Sequence, residues 1–290
     1  MTPTFYTPEP EQLTALAERL SRWQVDPWAG QLHPGDLGWH SSIGAEQMAR
    51  DLRVWEQDGE PAAIGMLDGS DVLRMCVTPP PRLLRTASWQ NASPMTLTGG
   101  PPICLQETRP SLRPEAPLRS EMHSKGAGWV DDEPWTPMTL DLRSPHDRER
   151  LHTTRLRIVE VGPESAEDWT RVHWSSFRGT PYDDDSQARF VARWTEIMTG
   201  PFADRAHSLI AYDTSHTPVA VTTVWTAGSG RPGLVEPMGV HRDHHRRGCA
   251  VAITHRWRAH PSGTRCDIRS RRRRELGSLA FACVGGNSCR

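Results

Sequence analysis

Long apolar runs are missing from this chain. No stretch approaches the roughly 18 consecutive apolar residues that a membrane-spanning helix needs. No apolar segment follows a basic start at the N-terminus, as a secretion signal would require. On this reading a membrane protein is excluded and a cytoplasmic location is expected. Paired cysteines are missing too. Cys76, Cys104, Cys249, Cys266, Cys283 and Cys289 form no CxxC pair, and no histidine stands at zinc-site spacing. Reduced thiols and no metal are therefore expected. Lysine is almost absent: Lys125 is the only one among 34 basic residues, a bias that points to a GC-rich coding sequence. Charge of one sign is not in excess either. The formal net charge of −1 argues against general nucleic-acid binding by the whole chain. A mean hydropathy of −0.60 is polar for a globular protein, so some segments lie outside any core.

What is present divides the chain in two. At 290 residues it is long enough for two domains of ordinary size. Residues 11–23 place Leu13, Leu16, Leu20 and Trp23 on one helical face, and residues 45–57 repeat the design with Met48, Leu52 and Trp55. Residues 59–79 read as two short strands joined at Asp68-Gly69-Ser70, a hairpin-type turn. From 79 to 127 the order dissolves into a Pro-, Ser-, Thr- and Gly-rich segment with no sustained period. Residues 128–135 look like the closing edge of a first domain spanning 1–140, and 141–154 serve as a charged linker. A second start follows over 155–264. Strand 156–161, helices 163–177 and 186–201, and strands 208–213, 218–227 and 233–240 come in that order, with a helix from about Cys249 to His260. The expected class is α/β (α+β).

The densest signal is Gly233–Thr254, an apolar strand, a basic turn with a glycine, and a helix start. Amides at a helix N-terminus are unpaired and carry partial positive charge. Arg246 and Arg247 add full charges, Gly248 lets the backbone approach an anion, and Ala250 keeps the first turn slim. The arrangement is a pyrophosphate trap. His245-Arg246-Arg247-Gly248-Cys249-Ala250 resembles the acetyl-CoA loop of the GNAT superfamily of N-acetyltransferases, Arg/Gln-x-x-Gly-x-Gly/Ala at a strand–helix junction. The glycine and the small residue match, and His245 stands where the family has Arg or Gln. The first half of the chain resembles the same plan but has no such loop after Val77. The whole chain is thus similar to a tandem two-lobed GNAT protein of the actinobacterial type. The resemblance implies a mixed, mostly antiparallel sheet flanked by helices in each lobe, with the first lobe degenerate as a cofactor site. It also implies acetyl-CoA as co-substrate and an amine as acceptor, with direct attack in a ternary complex. A monomer or homodimer is expected.

The resemblance further implies site residues. Pro237 marks a strand that splays from its neighbour, or simply ends early. In the first case the backbones of Met238, Gly239 and Val240 are free to bond the pantetheine amides and the thioester oxygen. Glu236 is the candidate general base; the alternative is a surface glutamate at a strand edge. By alternation Glu236, Met238 and Val240 share a strand face. Asp183-Asp184-Asp185 suit a cationic acceptor or, more simply, form a solvated loop in which Asp185 or Ser186 caps the next helix. His241, His244 and His245 are phosphate-side donors or plain surface. Cys249 lies inside the loop helix, where a helix N-terminus lowers thiol pKa, but at a position that tolerates any side chain. Trp169, Trp174 and Trp194 sit at helical spacing and are expected in the core.

The pattern breaks after the loop helix. GNAT proteins continue with a strand and a helix that often carries a tyrosine acid. Here Pro261-Ser262-Gly263 stops the helix, Arg271–Arg274 is a run of four like charges, and no tyrosine follows Tyr212. The second lobe is expected to be incomplete, with 265–290 an arginine-rich tail. That tail reads as a basic arm for nucleic acid, as a solvated terminus, or as out-of-frame translation from a disrupted gene. In the last case another reading frame past the loop helix encodes a strand and a tyrosine-bearing helix; finding neither would sink that reading. A catalytically impaired relic that binds acyl-CoA weakly is the rival to an active enzyme.

Overall fold

The computed structural model describes residues 4–25, 31–69, 72–79, 136–140, 155–258 and 265–270. The first lobe contains β1 (Thr4–Tyr6), α1 (Leu13–Trp23), α2 (Pro34–His40), α3 (Ala45–Asp51), β2 (Leu52–Gln57), β3 (Glu60–Leu67) and β4 (Leu73–Val77). Its sheet has the order β1-β2-β3-β4, antiparallel throughout. Leu13, Leu16, Ala17 and Leu20 of α1 bury the expected apolar stripe against Val54, Ile64 and Cys76 of the sheet.

Residues 45–57 depart from the expected single helix. The helix stops at Asp51, and Leu52–Gln57 is a strand held between β1 and β3, with Val54 opposite both Tyr6 and Ile64. Met48, Leu52 and Trp55 fit a helical stripe, but Leu52 and Val54 also alternate. Pairing on both sides decides between the two periods. The local signal for the strand is Asp58-Gly59, with φ of 56° and 80° at its two residues. Two left-handed residues in a row make the hairpin turn whose twist matches the flanking strands.

The second lobe contains β6 (Arg157–Val161), α4 (Ala166–Phe177), α5 (Asp184–Thr199), β7 (Ala206–Tyr212), β8 (Pro218–Trp225), β9 (Pro232–Val240) and α6 (Cys249–Arg258). Its sheet has the order β5-β10-β9-β8-β7-β6, where β5 is Thr136–Leu140 and β10 is Arg265–Ser270. All neighbours are antiparallel except β10 and β9. Both outer strands revise the sequence reading. The segment after α6 was expected to leave the sheet without a further strand, yet 265–270 form one beside β9. Residues 136–140, assigned to the first lobe, pair with β10 and so extend the second sheet. A strand's lobe is set by which edge it pairs with, and pairing carries no local sequence mark. Arg271–Arg274 lie outside the described residues, as do 80–135, which hold nearly all of the segment read as irregular, and the whole linker 141–154.

The two lobes repeat one plan, a strand, helices, then three antiparallel strands, with the strands in the same spatial order. In the second lobe α6 covers one face of the sheet through Cys249 and Ile253, and α4 and α5 cover the other through Trp169, Val172, Trp194 and Ile197. The lobes also exchange core residues. Trp39 of α2 sits in the second lobe's aromatic core, and Phe202, just after α5, sits in the first lobe's core.

Helix α2 is the wedge between them. It starts at Pro34, with Nδ1 of His33 accepting from the Gly35 amide at 2.9 Å. That bond leaves the proton on Nε2, which donates to the Pro232 carbonyl of β9 at 3.2 Å. Gly35 and Gly38 then press on Trp225. A Cβ at Gly38 would lie 2.2 Å from the indole, and one at Gly35 2.4 Å. Trp225 is fully buried and has nowhere to retreat. Gly38→Ala is therefore expected to lower unfolding stability by about 1–3 kcal/mol through overpacking. Chemical denaturation measures it, and a change within experimental scatter would show that the wedge yields.

Behind α2 lies a buried charge cluster. Arg74 donates through Nε and Nη2 to Asp68 at 2.9 and 2.6 Å and lies 3.6 Å from Asp36. His40 donates Nδ1–H to the Asp36 carbonyl at 2.8 Å and Nε2–H to Asp68 at 3.1 Å. Both acceptors lack hydrogens, so the ring is an imidazolium, and two acids balance two bases. Burial by itself would lower the pKa of His40, but the hydrogen bond and charge of Asp68 hold it above the ordinary histidine value. A raised folded value contributes stability that is full below the unfolded pKa and is lost as pH rises through the folded one. The urea midpoint is expected to fall more steeply from pH 6 to pH 9 in the wild type than in His40→Gln; parallel slopes would remove the charge of His40 from the account.

Candidate functional site

The site begins with a fault in the sheet. Thr222 pairs with Met238 and Val224 with Val235, so Thr223 alone stands opposite Glu236 and Pro237. Proline has no amide to donate, and the bulge falls where the ladder would need one. The Glu236–Pro237 peptide is cis. On the other side of β9 the pairing with β10 runs from Pro232↔Arg265 to Val235↔Ile268 and ends there, while Arg269 and Ser270 pair only with β5. From Glu236 to Val240, β9 therefore has no strand partner on that side among the described residues. The two strands part at Val235, and alternate backbone amides and carbonyls of β9 face the gap.

The gap opens onto the basic loop. Arg242–His244 form a single 3-10 turn, and α6 starts at Cys249. Arg246 and Gly248 have φ of 60° and 78°. A Cβ at Gly248 would meet nothing within 4 Å, so the constraint there is the backbone conformation and the open approach to the helix end. Arg246, Arg247 and Gly248 are all exposed. Neither arginine has a side-chain partner among the described residues. Unpaired amides, partial positive charge and two free guanidinium groups thus converge at one end of the strand gap.

This topology decides the fold: a strand, two helices, three antiparallel strands, a cationic turn, a helix, and a strand that splays from its neighbour. The second lobe has the GNAT fold. No protein-family model matches the chain, and no curated protein matches it in sequence. Among solved structures it is similar to a tandem GNAT protein from the clavulanic acid biosynthesis pathway, with 13% identity over 92% of this chain and 90% of that one, at a TM-score of 0.47. An acetyltransferase from Thermus thermophilus is similar over 38% of this chain and 72% of its own, with 18% identity and a TM-score of 0.30. A Pyrococcus horikoshii protein with a provisional acetyltransferase assignment is similar at 17% identity and a TM-score of 0.30; the match covers 39% of this chain and spans 37% of that protein's length.

Within the GNAT lobe the expected residues gather as follows. Glu236 is buried at 6% exposure, and its carbonyl accepts the Trp225 indole N–H at 2.7 Å. Met238 and Val240 both pack toward α6, as alternation predicts. Val235 packs there too, although it lies three residues from Met238. The bulge has broken the alternation, so the rule that places Glu236 on the face of Met238 and Val240 does not carry across it. Nε2 of His245 lies 3.0 Å from the Val240 carbonyl, which returns the loop onto the strand. His241 and His244 meet edge to face, 5.8 Å between centroids, and burial lowers the pKa of His241. Burial pushes the Cys249 thiol up, opposite to what a reactive thiol at a helix start requires. Ala250 packs at the rim of the core beneath the loop.

The acidic triplet resolves toward structure. Asp183, not Asp185 or Ser186, is the N-cap of α5, with its Oδ1 accepting from the Ser186 amide at 2.8 Å. Trp169 and Trp194 are fully buried and stacked 5.0 Å apart. Trp174 differs from the expected core placement: it is half-buried and donates to the Thr180 carbonyl. The tyrosines lie elsewhere. Tyr6 is in the first lobe, Tyr182 donates to Thr170, and Tyr212 donates to Asp168, with burial and that acid holding it up at about 12.

Sequence reasoning passed over Arg242. Its guanidinium donates to the Ser175 carbonyl at 3.1 and 2.8 Å and also to the Arg178 carbonyl, and its amide donates to Ser175 Oγ at 3.2 Å. It thus satisfies carbonyls at the C-terminal end of α4 and ties the basic loop to that helix. Nothing local distinguishes it from its arginine neighbours; its partners are more than sixty residues away. Arg242→Ala is expected to speed amide hydrogen exchange across 241–248 while leaving β7 and β8 protected. Unchanged exchange in the loop would show that the anchor is dispensable.

Proposed function

We propose that the second lobe binds acetyl-CoA in the opening between β9 and β10 and transfers the acetyl group to a primary amine by direct attack in a ternary complex. The observation that carries this reading is the parting of the two strands at Val235, immediately before a cationic loop that feeds a helix N-terminus. An unpaired strand edge suits the amides of a pantetheine arm, and a helix end with free cations suits its diphosphate. The donor supplies an activated thioester. Backbone groups of Met238, Gly239 and Val240 hold the arm and polarise the carbonyl. His245, Arg246 and Arg247, with the backbone of Gly248, Cys249 and Ala250, take the diphosphate. Glu236 accepts the proton that the attacking amine loses. No metal enters this scheme. The leaving thiolate has no tyrosine beside it, so its proton comes from another source.

Calorimetric titration with acetyl-CoA is expected to show one site per chain. Arg246→Ala combined with Arg247→Ala should weaken it about tenfold or more and flatten its salt dependence. Glu236→Gln should lower kcat by about a hundredfold or more, with acetyl-CoA affinity held within twofold. Heat of binding without thiol release on any amine would overturn transfer and leave an acyl-CoA-binding relic. No heat from folded protein would overturn both.

A further inference from the structure

The open edge of β9 carries one side chain at its last residue. His241 donates its amide to the Val219 carbonyl of β8 at 2.9 Å. Backbone groups alternate along a strand, so the carbonyl of Val240, one residue earlier, faces the opposite edge, where β10 no longer pairs. The His245 ring lies on that carbonyl, with Nε2 3.0 Å from the oxygen. The first residue of the His245–Ala250 motif thus stands where the strand gap meets the loop into α6. A carbonyl only accepts, so Nε2 carries the ring proton and donates it. Nδ1 is left as the basic nitrogen, and it has no partner among the described residues.

The neighbouring histidines are placed differently. Nδ1 of His241 accepts the Asp243 amide at 3.4 Å. Burial above all lowers the pKa of His241; Asp243 opposes this, and His244, Arg242 and His245 add to it. His244 meets His241 edge to face, 5.8 Å between centroids, and makes no hydrogen bond to β9 among the described residues. The loop holds one acid, Asp243, which lies 3.7 Å from His241. Its cations are Arg242, spent on carbonyls of α4, and the exposed Arg246 and Arg247. On α6 the first titratable group is Cys249, whose thiol burial pushes up and keeps neutral. On β9 it is Glu236, four residues before Val240.

A diphosphate seated on this loop puts negative charge beside the open nitrogen, which favours a protonated ring. The proton adds a charge-assisted hydrogen bond to the anion. The arginine or glutamine of the usual GNAT pattern has no such proton to gain. We propose that His245 makes acyl-CoA binding proton-linked: a proton from solvent joins Nδ1 as the diphosphate seats, Nε2 keeps its bond to Val240, and affinity falls as pH rises across neutrality. This rests on the acetyl-CoA reading of the loop and adds a regulation of the same site.

The probe is dephospho-CoA, because a phosphomonoester such as the 3′-phosphate of CoA titrates at about pH 6 and would take up protons of its own. It is titrated calorimetrically into the full chain at pH 6, 7 and 8, each in two buffers of different ionisation enthalpy. The pairs of buffers read the protons taken up on binding. Wild type is expected to take up about half a proton per ligand at pH 7 and to lose affinity about fivefold or more between pH 6 and pH 8. His245→Arg, which supplies a fixed charge, should keep binding with uptake near zero, and His245→Gln should also show none. His244→Gln should leave the uptake in place. Four results would overturn the proton link while the acetyl-CoA reading stands: wild-type binding without uptake, uptake that survives in both His245 variants, binding lost from both of them, or uptake abolished by His244→Gln. No heat at any pH from folded wild-type protein would overturn both.

Discussion

Trp225 is the contact on which the rest of the structure depends. Its side chain is fully buried, its ring fills the space that Gly35 and Gly38 leave open, and its indole N–H bonds the carbonyl of Glu236. One residue therefore joins the wedge between the lobes to the bulge at the candidate site. The indole N–H matters because a bulge leaves backbone groups without ladder partners, and an unpaired carbonyl in the core costs about 1–3 kcal/mol. The ring matters because the α2 backbone can approach it only where side chains are absent. His33 repeats the connection nearby, bonding the carbonyl of Pro232 at the start of the same strand.

From that anchor the site follows by simple geometry. A strand bonded on one side and released on the other offers its backbone to a ligand without further preparation. The loop at its end is held from two directions, by Arg242 onto the end of α4 and by His245 back onto β9. These bonds leave Arg246 and Arg247 free, and electrostatics at the exposed helix start point outward. The first lobe repeats the strand plan, and the pass along its sequence shows no comparable loop after Val77. Its visible contribution is mechanical: α2 braces β8, and the charge cluster of Asp36, Asp68, Arg74 and His40 stiffens α2 from behind.

The elements most legible in the sequence were those with strong local periodicity. α1, α4, α5 and the run from β6 to β9 lie within a few residues of where pattern places them, because their apolar spacing admits one reading. Residues 52–57 admitted two, and the partner strands chose. The Asp58-Gly59 turn was a usable local signal for that choice. Pro237 was legible as a fault in its strand, but not the consequence that Val235 and Met238 face the same way. β5 and β10 were not legible as members of one sheet, since they lie far apart in sequence and a pairing register leaves no trace in either strand alone.

By itself the sequence determined the kind of chemistry within reach: a glycine at a helix start, two arginines beside it, and a proline in the preceding strand. Those are properties of residue types at short spacing, and short spacing survives any packing. The tertiary structure alone decided where that loop points and what stands around it. The strand gap depends on where β10 stops pairing with β9. The anchoring of Arg242 onto the end of α4 depends on a helix and a loop brought together by a common core. Such contacts arise from chain closure over many residues, and the order of amino acids specifies them only through the whole fold.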